Sequence, residues 1–312
     1  TSERPRRVHG GREIRDTKAR MLLDPKALAK LSTVKLRARA VVEGVLSGLH
    51  KSPHQGQSVE FAEHKEYAPG DEIRHIDWKA YGKFDKYYVK RYEHETNLRA
   101  FIAIDASASM SYRSNGLSKL DVACALGAAL AYLLVRQQDA VGLLVLRADG
   151  ARYIPPRAAA GHLQTIIEAL EGLEGRGATR LADAADLLSE KARRRAAVFL
   201  FSDLFDEDPH ALKRLLQLRL RKNDLSVFHV LDRAELEFPF EDNTLFLSME
   251  DERSQQANPR EIRDSYLEEM KAFLDGARER CNEGDSDYEL VRTDEPLDKV
   301  LLRYLARRER GR

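Results

Sequence analysis

The chain has 312 residues, 43% of them apolar and 33% charged, and 52 Lys and Arg against 51 Asp and Glu leave a net charge of +1. That length supports one large domain with an extension, or two domains, and the balanced charge gives no electrostatic ground for a nucleic-acid or anionic-membrane partner. Cys124 and Cys281 lie far apart inside helical patterns and read as small core residues of a reducing compartment. The longest apolar stretch, residues 123–135, is too short to span a bilayer and no secretory signal is visible, so no transmembrane segment and a cytoplasmic location are expected.

In chain order, residues 1–20 are charged, lack periodicity and read as a tail. Residues 24–48 read as a helix: Asp24 is a cap, Pro25 suits the first turn, and Leu28, Leu31, Val34, Ala38, Val41, Val42 and Val45 fall near one face. Residues 50–98 are rich in Tyr, His and charge, with two strand-like stretches, SVEFAEH and KYYVKRY, joined by YAPGDEIRHIDWKAYGKF. From residue 99 strands and helices alternate. Strands are predicted at 99–105, 141–147, 196–202, 225–231, 244–248 and 287–292, and helices at 118–137, 161–173, 180–193, 209–221, 259–281 and 296–308. Runs such as AAVFLFSD and LSVFHVLD are apolar without alternation, as in parallel strands covered on both faces. The pattern predicts an α/β fold with a doubly wound, mostly parallel sheet over residues 99–312, preceded by the tail, helix and β-rich extension of residues 1–98.

In such sheets ligands bind outside the carboxyl ends of the strands. The stretch FIAIDASASMSY brings Asp105, Ser107 and Ser109 to the end of the first core strand at alternate positions, with only Ala106 and Ala108 between them. Asp203 ends the 196–202 strand, and Thr179 follows the glycine-rich GRGA stretch just before a helix. All five are hard oxygen donors, so Mg²⁺, Mn²⁺ or Ca²⁺ is expected rather than Zn²⁺. The bland alternatives are an N-cap and turn cluster for Asp105, Ser107 and Ser109, and a simple N-cap for Thr179.

D-x-S-x-S, a loop Thr and a later Asp together resemble the metal-ion-dependent adhesion site of von Willebrand factor type A domains. The stretch YAPGDEIRHIDW followed by VKRYEHE resembles the signature of the bacterial family called domain of unknown function 58, and its C-terminal pattern is matched by LFLSMEDER, PREIRDSYLEEM and YELVRTDEPLDKVLLRYLARR. The resemblance implies a type A-like, Rossmann-like domain. It also implies metal ligation by Ser107, Ser109 and Thr179, with Asp105 and Asp203 acting directly or through water. Many type A domains have Gly after the last Asp; here Leu204 follows, which leaves Asp206 or Asp208 as alternatives to Asp203. The implied role is a protein-interaction module rather than an enzyme, an adaptor for client proteins of a MoxR-type AAA+ ATPase. Its partner would present an acidic residue to the ion. The rival readings are a metal-dependent hydrolase of phosphate esters and a scaffold with a vestigial site. Asp71, Arg74, Asp77 and Trp78 read as a structural knot, with an interaction surface as the alternative.

Overall fold

The computed structural model describes residues 28–29, 31–49, 64–66, 88–90, 98–178, 180–192, 195–250 and 253–310. A first helix, α1 (Val34–Leu49), precedes a short antiparallel pair, β1 (His64–Glu66) and β2 (Tyr88–Lys90), in which His64 faces Lys90. The main unit then runs β3 (Arg99–Asp105), α2 (Lys119–Arg136), β4 (Ala140–Leu146), β5 (Arg152–Arg157), α3 (Ala160–Leu170), α4 (Leu181–Lys191), β6 (Ala196–Ser202) and α5 (Ala211–Leu216). It continues through β7 (Asp224–Leu231), α6 (Arg233–Glu237), β8 (Thr244–Leu247), β9 (Ser254–Ala257), α7 (Pro259–Glu283), β10 (Asp287–Arg292) and α8 (Leu297–Arg310).

The apolar runs form the centre of one six-stranded sheet in the order β10-β7-β6-β3-β4-β5. All neighbours are parallel except the edge strand β5, which runs antiparallel to β4. The chain winds outward from β3 in one direction and then from β6 in the other, so the order reverses between β3 and β6. This is the doubly wound α/β architecture, and its switch point is a crevice at the carboxyl ends of β3 and β6. Asp105 and Asp203 lie at those two ends.

Two apolar cores cover the two faces. On one face Ile102, Ile104, Leu143 and Phe201 pack against α1, α2, α3 and α8, with Phe201 and Phe228 stacked at 4.6 Å between ring centroids. On the other face Phe101, Leu144, Val198 and Leu200 pack against α4, α5 and α7. Cys124 and Cys281 are free and buried, one in each core, as small apolar residues. The apolar face foreseen for the first helix is buried at Leu28, Val34, Ala38, Val41, Val42 and Val45, so α1 shares the core of the sheet. Arg37 Nη1 reaches Asp121 Oδ1 at 2.5 Å and ties α1 to the first turn of α2.

Three expectations change. The helix predicted over 24–48 is broken at residues 31–33, and α1 proper begins at Val34, where the hydroxyl of Thr33 accepts from Leu36 N at 3.2 Å. Asp24, Pro25 and the tail of residues 1–20 lie outside the described residues. The stretch RYIPPR, outside the predicted elements, forms β5; Pro155 and Pro156 sit at the bulge between the Leu143–Ile154 and Val141–Arg157 pairs of this edge strand, where the ladder bonds they cannot donate are not needed. The strand expected at 244–248 is not in the main sheet but pairs with β9 in a separate hairpin.

Candidate metal centre

Helix α2 has its own cap. Ser118 accepts from Asp121 N, and the Asp121 side chain returns to Ser118 N at 3.1 Å, a complete capping box. The oxygens of Asp105, Ser107 and Ser109 are therefore not used to start that helix. Asp105 and Ser107 are each 1% exposed, while Ser109 opens a single 3₁₀ turn and is half-buried. Asp105 Oδ1 accepts from Ser107 N at 2.9 Å and Oδ2 accepts from Ser202 Oγ at 2.6 Å. Ser107 Oγ and Ser109 Oγ lie 3.0 Å apart. With Mg²⁺–oxygen distances of about 2.1 Å, adjacent corners of an octahedron are separated by about 3.0 Å. The two hydroxyls thus fit neighbouring positions around a small divalent ion. Among the described residues no group of three His, Cys, Asp or Glu could hold a metal.

The glycine-rich loop closes over this turn. Ala108 N donates to Gly177 O at 2.8 Å and Arg176 N to Ala106 O at 2.9 Å. A Cβ at Gly175 would lie 2.2 Å from Ser107 O, and Gly177 has φ +69°. Gly175→Val is expected to push the two loops apart, costing about 1–3 kcal/mol by overpacking and weakening metal binding. Urea melts and a Mg²⁺ titration check both effects; an unchanged titration would separate this loop from the ion site. Thr179 lies outside the described residues.

Burial, and then the negative charge of Asp203, push the Asp105 carboxyl up to about 7. Asp203 is itself held: Oδ2 accepts from Lys119 Nζ at 2.8 Å and Oδ1 from Phe205 N at 3.2 Å. Lys119 Nζ also reaches Glu235 Oε1 at 2.6 Å, and its side chain is 0% exposed. Burial opposes the ammonium charge, but Asp203 and Glu235 outweigh it and hold the Lys119 pKa above its ordinary value. Lysine in the first turn of a helix meets the positive end of the dipole, so these two carboxylates, not the helix, favour it there. His229, pushed down to about 4 by burial, is neutral at pH 7. Its Nε2 donates to Asp203 O at 2.8 Å, and Nδ1 accepts from the Tyr288 hydroxyl at 2.8 Å.

Asp206 and Asp208, the alternatives to Asp203, also hold backbone amides. Asp206 Oδ2 accepts from Leu181 N at the start of α4, and Asp208 Oδ1 from His210 N, both at 2.8 Å. Leu204 adopts φ +58° and buries its side chain in the second core. A left-handed backbone is one that glycine adopts at no steric cost, so Leu204 holds it at some strain. Asp71, Arg74, Asp77 and Trp78 lie outside the described residues. Sequence reasoning missed Lys119, Ser202, His229 and Glu235. The one local signal was a lysine heading an otherwise apolar helix.

Beside the D-x-S-x-S turn lies a cleft of about 540 Å³ that Ser109 shares, walled by Phe205, Phe238, Phe240, Phe246, Tyr266 and Phe273. Among the described residues no helix is long and apolar enough to cross a membrane.

Residues 63–273 match the family described as "Protein of unknown function DUF58". Similar sequences include uncharacterized protein Rv1480 of Mycobacterium tuberculosis and uncharacterized protein Mb1516 of Mycobacterium bovis, each 26% identical over 297 residues and covering 92% of both chains. Similar solved structures include BatB from Bacteroides thetaiotaomicron, with 17% identity and a TM-score of 0.40 over 67% of this chain and 98% of that one. The SpRpn10 VWA domain is 10% identical, with a TM-score of 0.38 over 65% of this chain and 93% of that one. With its family signature spanning more than half its length, the chain belongs to the DUF58 family.

Proposed function

We propose that the protein is a metal-dependent protein-interaction module, not an enzyme, that works in the cytoplasm as an adaptor for a MoxR-type AAA+ ATPase and its clients. The observation that carries this reading is the pair of hydroxyls of Ser107 and Ser109, 3.0 Å apart beside the buried Asp105. A bound Mg²⁺ (or Mn²⁺ or Ca²⁺) would supply a positive charge with a position left for an outside ligand. Ser107 and Ser109 would hold it directly and Asp105 would act directly or through water, with Thr179 as the further ligand implied by the resemblance. Lys119 already balances Asp203, so the protein brings little negative charge to the ion. A carboxylate from a partner is then favoured over a neutral amide.

The experiment is a binding titration against the MoxR-type ATPase of the same organism, with Mg²⁺, with EDTA and with Ser107→Ala. EDTA is expected to abolish metal-dependent binding, and Ser107→Ala to weaken it by about 10- to 100-fold. Equal affinity under all conditions would overturn the reading. The Lys119–Asp203 pair also favours a second reading, a scaffold that has exchanged its ion for a lysine, which predicts no heat of Mg²⁺ binding in calorimetry.

A further inference from the structure

We infer that the aromatic cleft is the second half of the docking site, and that it receives a bulky apolar side chain flanked by Lys or Arg on the partner segment whose carboxylate reaches the ion. This rests on the proposed function for the ion and adds the specificity element beside it. Ser109 belongs both to the D-x-S-x-S turn and to the cleft wall, so one short segment reaches both. Phe205, Phe240, Phe246, Tyr266 and Phe273 are only half-buried, so their rings leave apolar area uncovered. The lip extends the surface: Leu247 is 67% exposed and Met249 44%. Apolar surface of this kind, rimmed by polar groups, marks an interaction site, and aromatic-lined pockets are where interface anchors seat.

Charge selects the occupant. The wall carries Asp206, Glu207 and Glu235 against Arg253, which lies 3.7 Å from Glu207, and Lys119 behind it is shared between Asp203 and Glu235, so these groups leave the mouth net negative. An apolar side chain with a basic neighbour matches an aromatic floor under an acidic rim. A small apolar ligand would fill the floor but leave the Leu247 and Met249 lip bare, so a peptide segment fits better. The volume of about 540 Å³ lies within the range of about 300–1,000 Å³ typical of binding clefts.

The test is a random 12-residue peptide display library panned on the full chain in Mg²⁺, with counter-selection on Phe246→Ser. Phe246 sits on the β8–β9 hairpin outside both cores, and Phe240→Ser serves if that variant melts early. The expected enriched peptides share an acidic residue, a large apolar residue and an adjacent Lys or Arg, and bind Phe246→Ser at least about tenfold more weakly. No enrichment over Phe246→Ser, or a consensus without the apolar residue, overturns the inference. Binding that depends on Mg²⁺ and Asp105 but not on Phe246 removes the cleft and leaves the ion reading intact. Binding that depends on Phe246 but not on Mg²⁺ upholds the cleft and removes the ion reading. A dimer of the free protein that dissociates in Phe246→Ser would overturn the inference by making a second copy the occupant.

Discussion

Lys119→Met is expected to destabilise the protein by about 3–5 kcal/mol in EDTA at neutral pH, the cost of removing one partner from a buried ion pair. Methionine keeps most of the side-chain volume, so the loss reports charge rather than packing. Without the ammonium, Asp203 and Glu235 lose a shared cation, and Asp105 faces an uncompensated negative group across the crevice. Protonation is the remaining way to relieve that charge, so the deficit is expected to be larger at pH 8 than at pH 5. Mg²⁺ should recover more stability in the variant than in the wild type, because an ion that binds only the folded state stabilises by an amount that grows with the logarithm of its affinity. Urea melts at both pH values, with EDTA and with Mg²⁺, measure all of this. A loss below about 1 kcal/mol would mean that the lysine does not neutralise the buried carboxylates.

The candidate site was half legible in the sequence, and the boundary has a physical reason. Asp105, Ser107 and Ser109 announce themselves because oxygens at alternate positions follow a strand too apolar to be exposed. That is local information. Lys119 meets Asp203 across 84 residues, and in the sequence it stands behind a Ser118 cap where a solvated first-turn lysine is ordinary. Nothing short of the fold brings β6 beside β3 and so joins the two. The same reasoning separates the core strands from the rest. Buried parallel strands carry continuous apolar runs, whereas β5 carries prolines and β8 exposes Leu245 and Leu247, so neither advertises its pairing. The aromatic cleft was invisible for a related reason: its rings come from the Asp203 loop, the segment after α6, the hairpin and α7, each unremarkable alone.

Asp105→Asn is expected to stabilise the ion-free protein at pH 8 while abolishing its response to metal. The Asp105 carboxyl is pushed up to about 7, first by burial and then by Asp203, against about 4 in an unfolded chain. Between those values the folded state holds a proton that the unfolded state has released. Stability therefore falls as pH rises through this window, by on the order of 1 kcal/mol per pH unit, and is flat above it. Asparagine has no charge to desolvate, so the variant lacks that decline. Its carbonyl still accepts from Ser107 N, while its amide must donate to Ser202 Oγ, which itself accepts from Leu204 N at 3.0 Å. After that imperfect exchange a net gain of about 2 kcal/mol is expected at pH 8, crossing zero at about pH 5 to 6 and becoming a loss of about 1–2 kcal/mol near pH 4. Metal reverses the order. A divalent ion needs the carboxylate, so wild-type affinity for Mg²⁺ should rise with pH up to about 7 and level off, while the variant shows no saturable stabilisation. Melting curves at pH 5, 6, 7 and 8, with EDTA and with Mg²⁺, give both slopes. An Asp105→Asn protein less stable than wild type at pH 8 in EDTA would mean that the Asp105 charge is already compensated within the fold, and that an ion is not needed to balance it.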